Sequence, residues 1–274
     1  EEDRFTVGVE GPFAIREAGD SSRGAVLFQS NEGLPAGVAT GDGGVFTIDG
    51  IDETFSEAID IVPADSNVGV IINGEDFFGR VRIISQEHGF MAVVIIPVER
   101  YLCGVVYGEM GTGADTEALK AQAIAARNYA LYEYKSRSSK PYHVKRTAAS
   151  QVFVPMKAYP RKIVRAVNAT CGVIMTYEQK LFKAYYSSTC GGRTASIEEV
   201  WDCLPQAVFT SVPCTYCAGS IYSEWKYKIS KTALRRLLLD AGFKVGFVKR
   251  VVVPKRARGA SGRARYVRIE IDDR

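Results

Sequence analysis

The sequence has no apolar run long enough to cross a bilayer. Its longest, FMAVVIIPV at 90–98, suits a buried strand, so no transmembrane segment is expected. Histidine is scarce: His88 and His143 are the only two, and neither sits in a motif that ties it to a serine. With no G-x-S-x-G either, a serine hydrolase has little support. Repeats, an aromatic RNA-binding motif and a second Cys-x-x-Cys pair are all missing. A nucleic-acid module is therefore a weak reading, and a four-cysteine zinc finger lacks its usual spacing. The chain opens at EEDRF without a methionine, as a trimmed mature form does.

Charge is present but divided. Residues 1–100 carry 18 acidic and 6 basic side chains, and the remainder carries 13 and 29. A basic half can hold an anionic partner such as nucleic acid, anionic lipid or an acidic wall polymer, and it can equally be a solvated face. Six cysteines are present. Cys103 and Cys171 lie in apolar settings and read as buried thiols. Cys190, Cys203, Cys214 and Cys217 fall close together, where disulfides or free thiols are the favoured reading and zinc on Cys214-x-x-Cys217 is the alternative. No metal and no other cofactor is expected.

The fold class expected is α+β: mostly antiparallel β with several helices packed around a substrate groove. Residues 1–95 read as a β-rich region, because short runs such as RFTVGV, GVFTI and GRVRIIS alternate with Gly, Asp, Asn and Ser clusters. Residues 96–230 read as the core of the protein, and 231–274 as a helix and hairpin completing it. In PVERYLCGVVYGEM, Val98, Leu102, Val105 and Val106 recur at helical spacing. Asp115 or Thr116 should cap a second helix over 117–134, whose Leu119, Ala123, Ala126 and Ala130 form a narrow stripe. RKIVRAVNAT predicts a third helix, followed by a hairpin through VIMTY and LFKAYYSS. TALRRLLLDAGF predicts a further helix. FVKRVVV and RYVRIEI predict a hairpin with Val267, Ile269 and Ile271 facing inward and the basic run PKRARGASGRAR as its solvated tip.

Glu109 is the chemically suggestive residue. It lies three, four and seven positions beyond Val106, Val105 and Leu102, so its side chain leaves on the apolar face of its helix. A carboxyl set against an apolar wall can serve as a general acid, although a glutamate at a fraying helix end is the plainer explanation. On the next helix Lys120 and Arg127 share a face. Two cations there can hold sugar oxygens or a carboxylate, or simply snorkel. In SSTCGGRT, 187–194, small hydroxyls flank a glycine pair, which lets backbone approach a ligand closely or merely makes a tight turn.

VERYLCGVVYGEMG followed by EALKAQAIAARNYAL, with SQVF at 150–153, CGGRTASIEEVW at 190–201 and YSEWKYKI beyond, resembles the stage II sporulation protein D family, which includes the amidase-enhancer proteins. The resemblance spans roughly residues 66–230. It implies an exported protein, in the periplasm, cell wall or extracellular space, acting on peptidoglycan glycan strands. It also implies a lytic transglycosylase with Glu109 as its single acid/base. By the same resemblance Lys120, Gln122, Arg127 and Gln151 are substrate-binding, as are Ser187, Ser188, Gly191, Gly192 and Thr194. The alternative it implies is a non-catalytic glycan-binding enhancer of an N-acetylmuramoyl-L-alanine amidase, with an amidase as the further partner. Gly111 stands where the family has proline, Asn128 where it has threonine or serine, and Ser187 where it has histidine. HVKRTAASQVF lacks the cysteines through which some relatives bind zinc.

Overall fold

The computed structural model describes residues 4–19, 24–42, 45–56, 58–86, 89–201 and 203–272; His88 lies outside them. The chain divides into two compact units, residues 1–185 and 186–274, so the break falls within the stretch expected to form one core.

Among its described residues the first unit begins with eleven strands. These are β1 (Arg4–Val9), β2 (Phe13–Glu17), β3 (Val26–Ser30), β4 (Leu34–Asp42), β5 (Val45–Ile48), β6 (Ile51–Ser56), β7 (Ala58–Pro63), β8 (Val70–Ile72), β9 (Glu75–Phe77), β10 (Arg80–Ser85) and β11 (Phe90–Ile95). They form two sheets, ordered β6-β5-β4-β1-β8-β9 and β11-β10-β7-β2-β3. Every pairing in them is antiparallel among the described residues. The inner faces share one apolar core built by strict alternation: Ile59 and Ile61 of β7 and Val81 and Ile83 of β10 are sealed, as are Val7, Ile15 and Ile48. Asp60, between the two isoleucines, points to the opposite face. It is buried there only because Arg82 and Arg80 reach it from the neighbouring strand at 2.7 and 3.0 Å.

Three helices follow, α1 (Val98–Met110), α2 (Thr116–Ser136) and α3 (Arg161–Asn168). Asp115 caps α2 by accepting the Glu117 amide at 2.9 Å. The predicted stripe Leu119, Ala123, Ala126 and Ala130 is buried against Leu102, Val105 and Val106 of α1 and Ile163, Ala166 and Val167 of α3. Small residues on α2 let the helices approach closely. The first unit closes with a short hairpin, β12 (Thr176–Tyr177) and β13 (Lys180–Leu181). No helix among the described residues is long and apolar enough to cross a membrane.

The second unit has little regular structure before residue 231. Its elements are α4 (Ile197–Val200), α5 (Lys231–Asp240) and an antiparallel pair, β14 (Phe247–Val252) and β15 (Arg268–Asp272). Here one expectation fails. Val267 and Ile271 stay exposed, because a two-stranded ribbon has no second sheet to bury its face. The basic run is the exposed hairpin tip that was expected, since Lys255, Arg256, Arg258, Arg263 and Arg265 all face solvent, but it is also tied down. Ser261 donates its amide to Glu199 at 3.0 Å, and the Arg263 guanidinium reaches the carbonyls of Arg193, at 2.8 Å, and Cys190.

Candidate functional site

Helix α1 carries glycines four residues apart, Gly104 and Gly108, on one face. A Cβ on Gly104 would lie 2.4 Å from the Phe153 ring, and one on Gly108 would lie 2.6 Å from the Val152 carbonyl oxygen. Only glycine lets the extended segment 151–154 lie directly against the helix. That segment is pinned by Val154 donating to the Gly104 carbonyl at 3.3 Å and by Tyr159 donating to the Val154 carbonyl at 3.0 Å. Val152 then donates its amide to Glu109 Oε1 at 2.8 Å. Glu109 is half-buried in the last turn of α1 and does not swing freely at a frayed end.

Beside it the chain leaves α1 through Gly111, whose φ is +62°. Proline cannot adopt that angle, so the substitution gives the loop a different exit. Lys162 of α3 fastens the loop by donating to the carbonyls of Ala114 and Thr112 at 2.6 and 3.2 Å.

The residues expected to bind substrate divide sharply. Arg127 is 1% exposed. It forks onto Glu99, with Nε to Oε1 at 2.9 Å and Nη2 to Oε2 at 2.6 Å, while Nη1 donates to the Val173 carbonyl at 3.0 Å. Arg127 is therefore a brace between α2, α1 and the chain after α3, which corrects its reading as a substrate contact: a sealed side chain presents no donor to a glycan. Burial pushes the Glu99 carboxyl up, but the Arg127 guanidinium together with hydrogen bonds from Gly172 and Cys171 outweighs it, and the group lies below its ordinary value. Gln151 is likewise sealed, accepting from the Tyr101 hydroxyl at 3.1 Å and donating to the Ala126 carbonyl at 3.4 Å. It ties α1 to α2 and orients the segment that holds Glu109.

Lys120 and Gln122 are partly exposed. Lys120 pairs with Glu117 at 2.7 Å and is one-third exposed. Gln122 Nε2 is a buried donor without a hydrogen-bond partner, a condition shared among the described residues only by Glu199 Oε2. Such a donor costs about 1–3 kcal/mol until something accepts from it. Asn128 uses its whole amide: Nδ2 donates to the carbonyls of Met175 and Phe182 and Oδ1 accepts the Met175 amide at 2.7 Å. A threonine hydroxyl has one proton to give and could not clamp both strands of the β12–β13 hairpin.

Ser187, Ser188, Gly191, Gly192 and Thr194 belong to the second unit, and Glu109 to the first. Ser187 and Ser188 are exposed, as are Gly191 and Gly192, whose φ angles are +63° and +98°. Thr194 is occupied: its amide and hydroxyl exchange hydrogen bonds with Val212. None of the six cysteines is joined in a disulfide in this structure. Burial pushes Cys103 up to about 11, consistent with an inert core thiol. Cys171, expected to be buried, is exposed on the turn after α3.

Sequence reading passed over Glu99, Lys162 and the Gly104–Gly108 pair. The glycine spacing on one helical face was the available signal. A separate cleft of about 1430 Å³ in the first unit is lined by Arg80, Arg82, Tyr134, Lys135, His143 and Arg146 among others; Glu109 is not one of its lining residues.

Residues 86–177 match the family model described as Stage II sporulation protein. An uncharacterized protein of Brachyspira hyodysenteriae is 30% identical over 206 residues, covering 75% of this chain and 55% of that protein. Stage II sporulation protein D of Bacillus subtilis is 31% identical over 157 residues, covering 50% of this chain and 43% of its own length. The Amidase enhancer of Bacillus subtilis is 37% identical over 100 residues, or 36% of this chain and 13% of the relative. The chain thus spans about half the length of the curated relatives it matches, or less. The matched residues hold α1, α2, the 151–154 segment and α3, and through them the chain carries a domain of the stage II sporulation protein D family.

Proposed function

We propose that the protein cleaves the bond between N-acetylmuramic acid and N-acetylglucosamine in exported, peptide-stripped peptidoglycan strands, as a lytic transglycosylase with Glu109 as its one acid/base. The observation that carries the reading is the hydrogen bond from Val152 N–H to Glu109 Oε1 at 2.8 Å. The amide makes that oxygen an acceptor, so a proton on the carboxyl group sits on the other oxygen, held at fixed orientation. From there it passes to the bridging glycosidic oxygen as the bond to C1 breaks. The resulting carboxylate takes the proton of the muramic C6 hydroxyl, whose oxygen closes onto C1 to give a 1,6-anhydro ring. The proton count is restored and no water is consumed, so a second carboxylate is not required, unlike in ordinary glycosidases.

Lys120 and Gln122 are the proposed sugar contacts on α2, and the Gln122 Nε2 donor, sealed and unpartnered here, reaches a sugar by rotation of its partly exposed side chain. Ser187, Ser188, Gly191 and Gly192, and the Thr194 turn that supports them, are proposed as contacts through the family resemblance. Arg127 and Gln151 act through the residues they brace. The test is mass spectrometry of products from peptide-free glycan strands. Wild-type protein should give 1,6-anhydromuramic ends and Glu109→Gln should give none; equal product from both removes Glu109 from the mechanism.

A second reading is favoured by the Amidase enhancer match and by Gly111, which re-routes the loop beside the acid. Here the protein binds glycan without cutting it and speeds an amidase. It predicts co-sedimentation with glycan, no anhydro ends, and faster stem-peptide release only when an amidase is added.

A further inference from the structure

Three of the four cysteines of the second unit converge. The sulfurs of Cys190, Cys214 and Cys217 all lie within 4.8 Å of one another, and those of Cys190 and Cys217 are 3.4 Å apart. Backbone pairing produces this. Residues 192–194 run antiparallel to 212–214, with Cys214 donating to the Gly192 carbonyl at 2.9 Å, Arg193 bridging Pro213, and Thr194 donating to Val212 at 3.0 Å. The left-handed Gly191 and Gly192 turn the chain away just after Cys190, and the C-x-x-C turn brings Cys217 back. The Cys190 amide then donates to the Cys217 sulfur at 3.3 Å.

A disulfide would use two of these sulfurs and leave the third beside it without a role. A tetrahedral ion uses all three. With Zn–S near 2.3 Å, tetrahedral geometry sets sulfurs about 3.8 Å apart, inside the observed spread. Soft thiolates in this arrangement favour zinc over harder divalent ions. A separate observation gives such an ion something to do. Among the described residues between 186 and 230 the chain has one four-residue α-helix, a three-residue 3-10 turn and almost no core: Ser196 and Ile197 are buried, whereas Leu204, Tyr216 and Trp225 are at least 80% exposed. A segment that buries so little apolar surface needs a cross-link to hold one conformation. The Arg263 guanidinium lies on the Cys190 and Arg193 carbonyls, placing a cation next to the negative charge that three thiolates leave on a divalent ion.

We infer that Cys190, Cys214 and Cys217 bind one Zn²⁺ as thiolates, with solvent in the fourth position, and that the ion staples the 186–230 segment. Each thiol releases its proton to solvent as its sulfur binds the metal. The inference does not rest on the glycan reading.

The test is elemental analysis and zinc-edge X-ray absorption on the whole protein purified without chelator. About one zinc per chain, with about three sulfurs near 2.3 Å, is expected. Cys214→Ser and Cys217→Ser should each lower bound zinc by about tenfold or more. Cys217→His, which keeps a ligand atom, should retain the metal even if the serine variants fold poorly. Cys203→Ser should retain it too, and its loss there would overturn the three-ligand assignment. Stripping the metal should open 186–230 to protease, and unchanged resistance would overturn the staple. Metal-free protein with a Cys190–Cys217 disulfide on peptide mapping would overturn the site altogether.

Discussion

Arg127 separates two accounts of the α2 helix, and its removal has a size that can be worked out in advance. Arg127→Ala deletes a guanidinium that is 1% exposed and makes a two-pronged contact with Glu99 plus one hydrogen bond to Val173. Glu99 is left 27% exposed, with the Gly172 amide at 3.4 Å among its remaining donors, and the Val173 carbonyl loses its partner. Breaking a buried pair by deleting one member costs roughly 3–5 kcal/mol, and the partial solvation of Glu99 places this case near 3. For a chain of this size that corresponds to a fall in melting temperature of roughly 6–12 °C. Arg127→Lys keeps the charge but loses the fork and should cost about half as much. Glu99→Gln should cost at least as much as Arg127→Ala, since it leaves a sealed cation without a counter-charge. Pairing Glu99→Gln with Arg127→Met should recover at least about 1 kcal/mol relative to the sum of the single changes. Far-UV circular dichroism is the right probe, because it follows α1, α2 and α3, whereas both tryptophans, Trp201 and Trp225, lie in the second unit and report on that unit instead. If Arg127→Lys abolishes glycan binding while the melting temperature moves by less than about 2 °C, Arg127 is a ligand contact and the brace is refuted.

Other outcomes follow from the same geometry. Gly108→Ala should push segment 151–154 off α1, because the new methyl would meet the Val152 carbonyl oxygen at 2.6 Å. Anhydro product should then fall about tenfold or more as Glu109 loses its amide. Since alanine otherwise favours a helix by about 1 kcal/mol, a stabilised and fully active variant would contradict the contact. Lys162→Met should expose the 111–115 loop to protease while changing stability by less than about 0.5 kcal/mol, and equal cleavage rates would show that the lysine does not hold the loop. Acid should weaken the first unit through Glu99. Its folded carboxyl lies below its ordinary value, so the unfolded chain protonates first as pH falls. The stabilisation is therefore complete above about pH 4–5 and is lost as pH drops through the folded value. A melting-temperature profile should steepen in that window and flatten there in Glu99→Gln; matching profiles would refute the linkage.

The helical part of the site was legible because its signals are local. The α2 stripe follows from 3.6-residue periodicity, Asp115 caps the helix by reaching two residues ahead, and Glu109 falls on the apolar face by counting from Leu102. The roles assigned to Arg127 and Gln151 were not legible, because what decides them is distant in sequence. Glu99 lies 28 residues before Arg127, and Tyr101 lies 50 before Gln151. A side chain's face on its helix can be read from spacing; whether another helix covers that face cannot. The β-rich region shows the same division. RFTVGV, GVFTI and GRVRIIS form β1, β5 and β10 as their pattern predicts, whereas the burial of Asp60 on β7 depends on Arg80 and Arg82, which arrive from β10 further along the chain.

The second unit reverses the usual relation between pattern and structure. Alternation in RYVRIEI predicted an inward face, but alternation specifies burial only where another layer covers the face, and α5, which packs on β14 and helps bury Val248, leaves Val267 and Ile271 exposed. The basic run is solvated as its composition suggests, and Arg263 and Ser261 also tie it to the CGGRT and IEEV segments through carbonyls and a carboxylate that composition does not reveal. What organises this unit is instead a few polar cross-ties around the cysteines. Single-cysteine spacing offered one C-x-x-C pair and so argued weakly for a metal. The third ligand, Cys190, lies 24 residues before Cys214 and arrives only through the 192–194 and 212–214 pairing. Weakening that pairing should therefore disturb the thiols without touching them. Thr194→Val removes the hydroxyl that accepts the Val212 amide at 2.9 Å and should speed labelling of Cys190 by a thiol reagent. An unchanged labelling rate in metal-stripped protein would show that the strand pairing does not set the cluster.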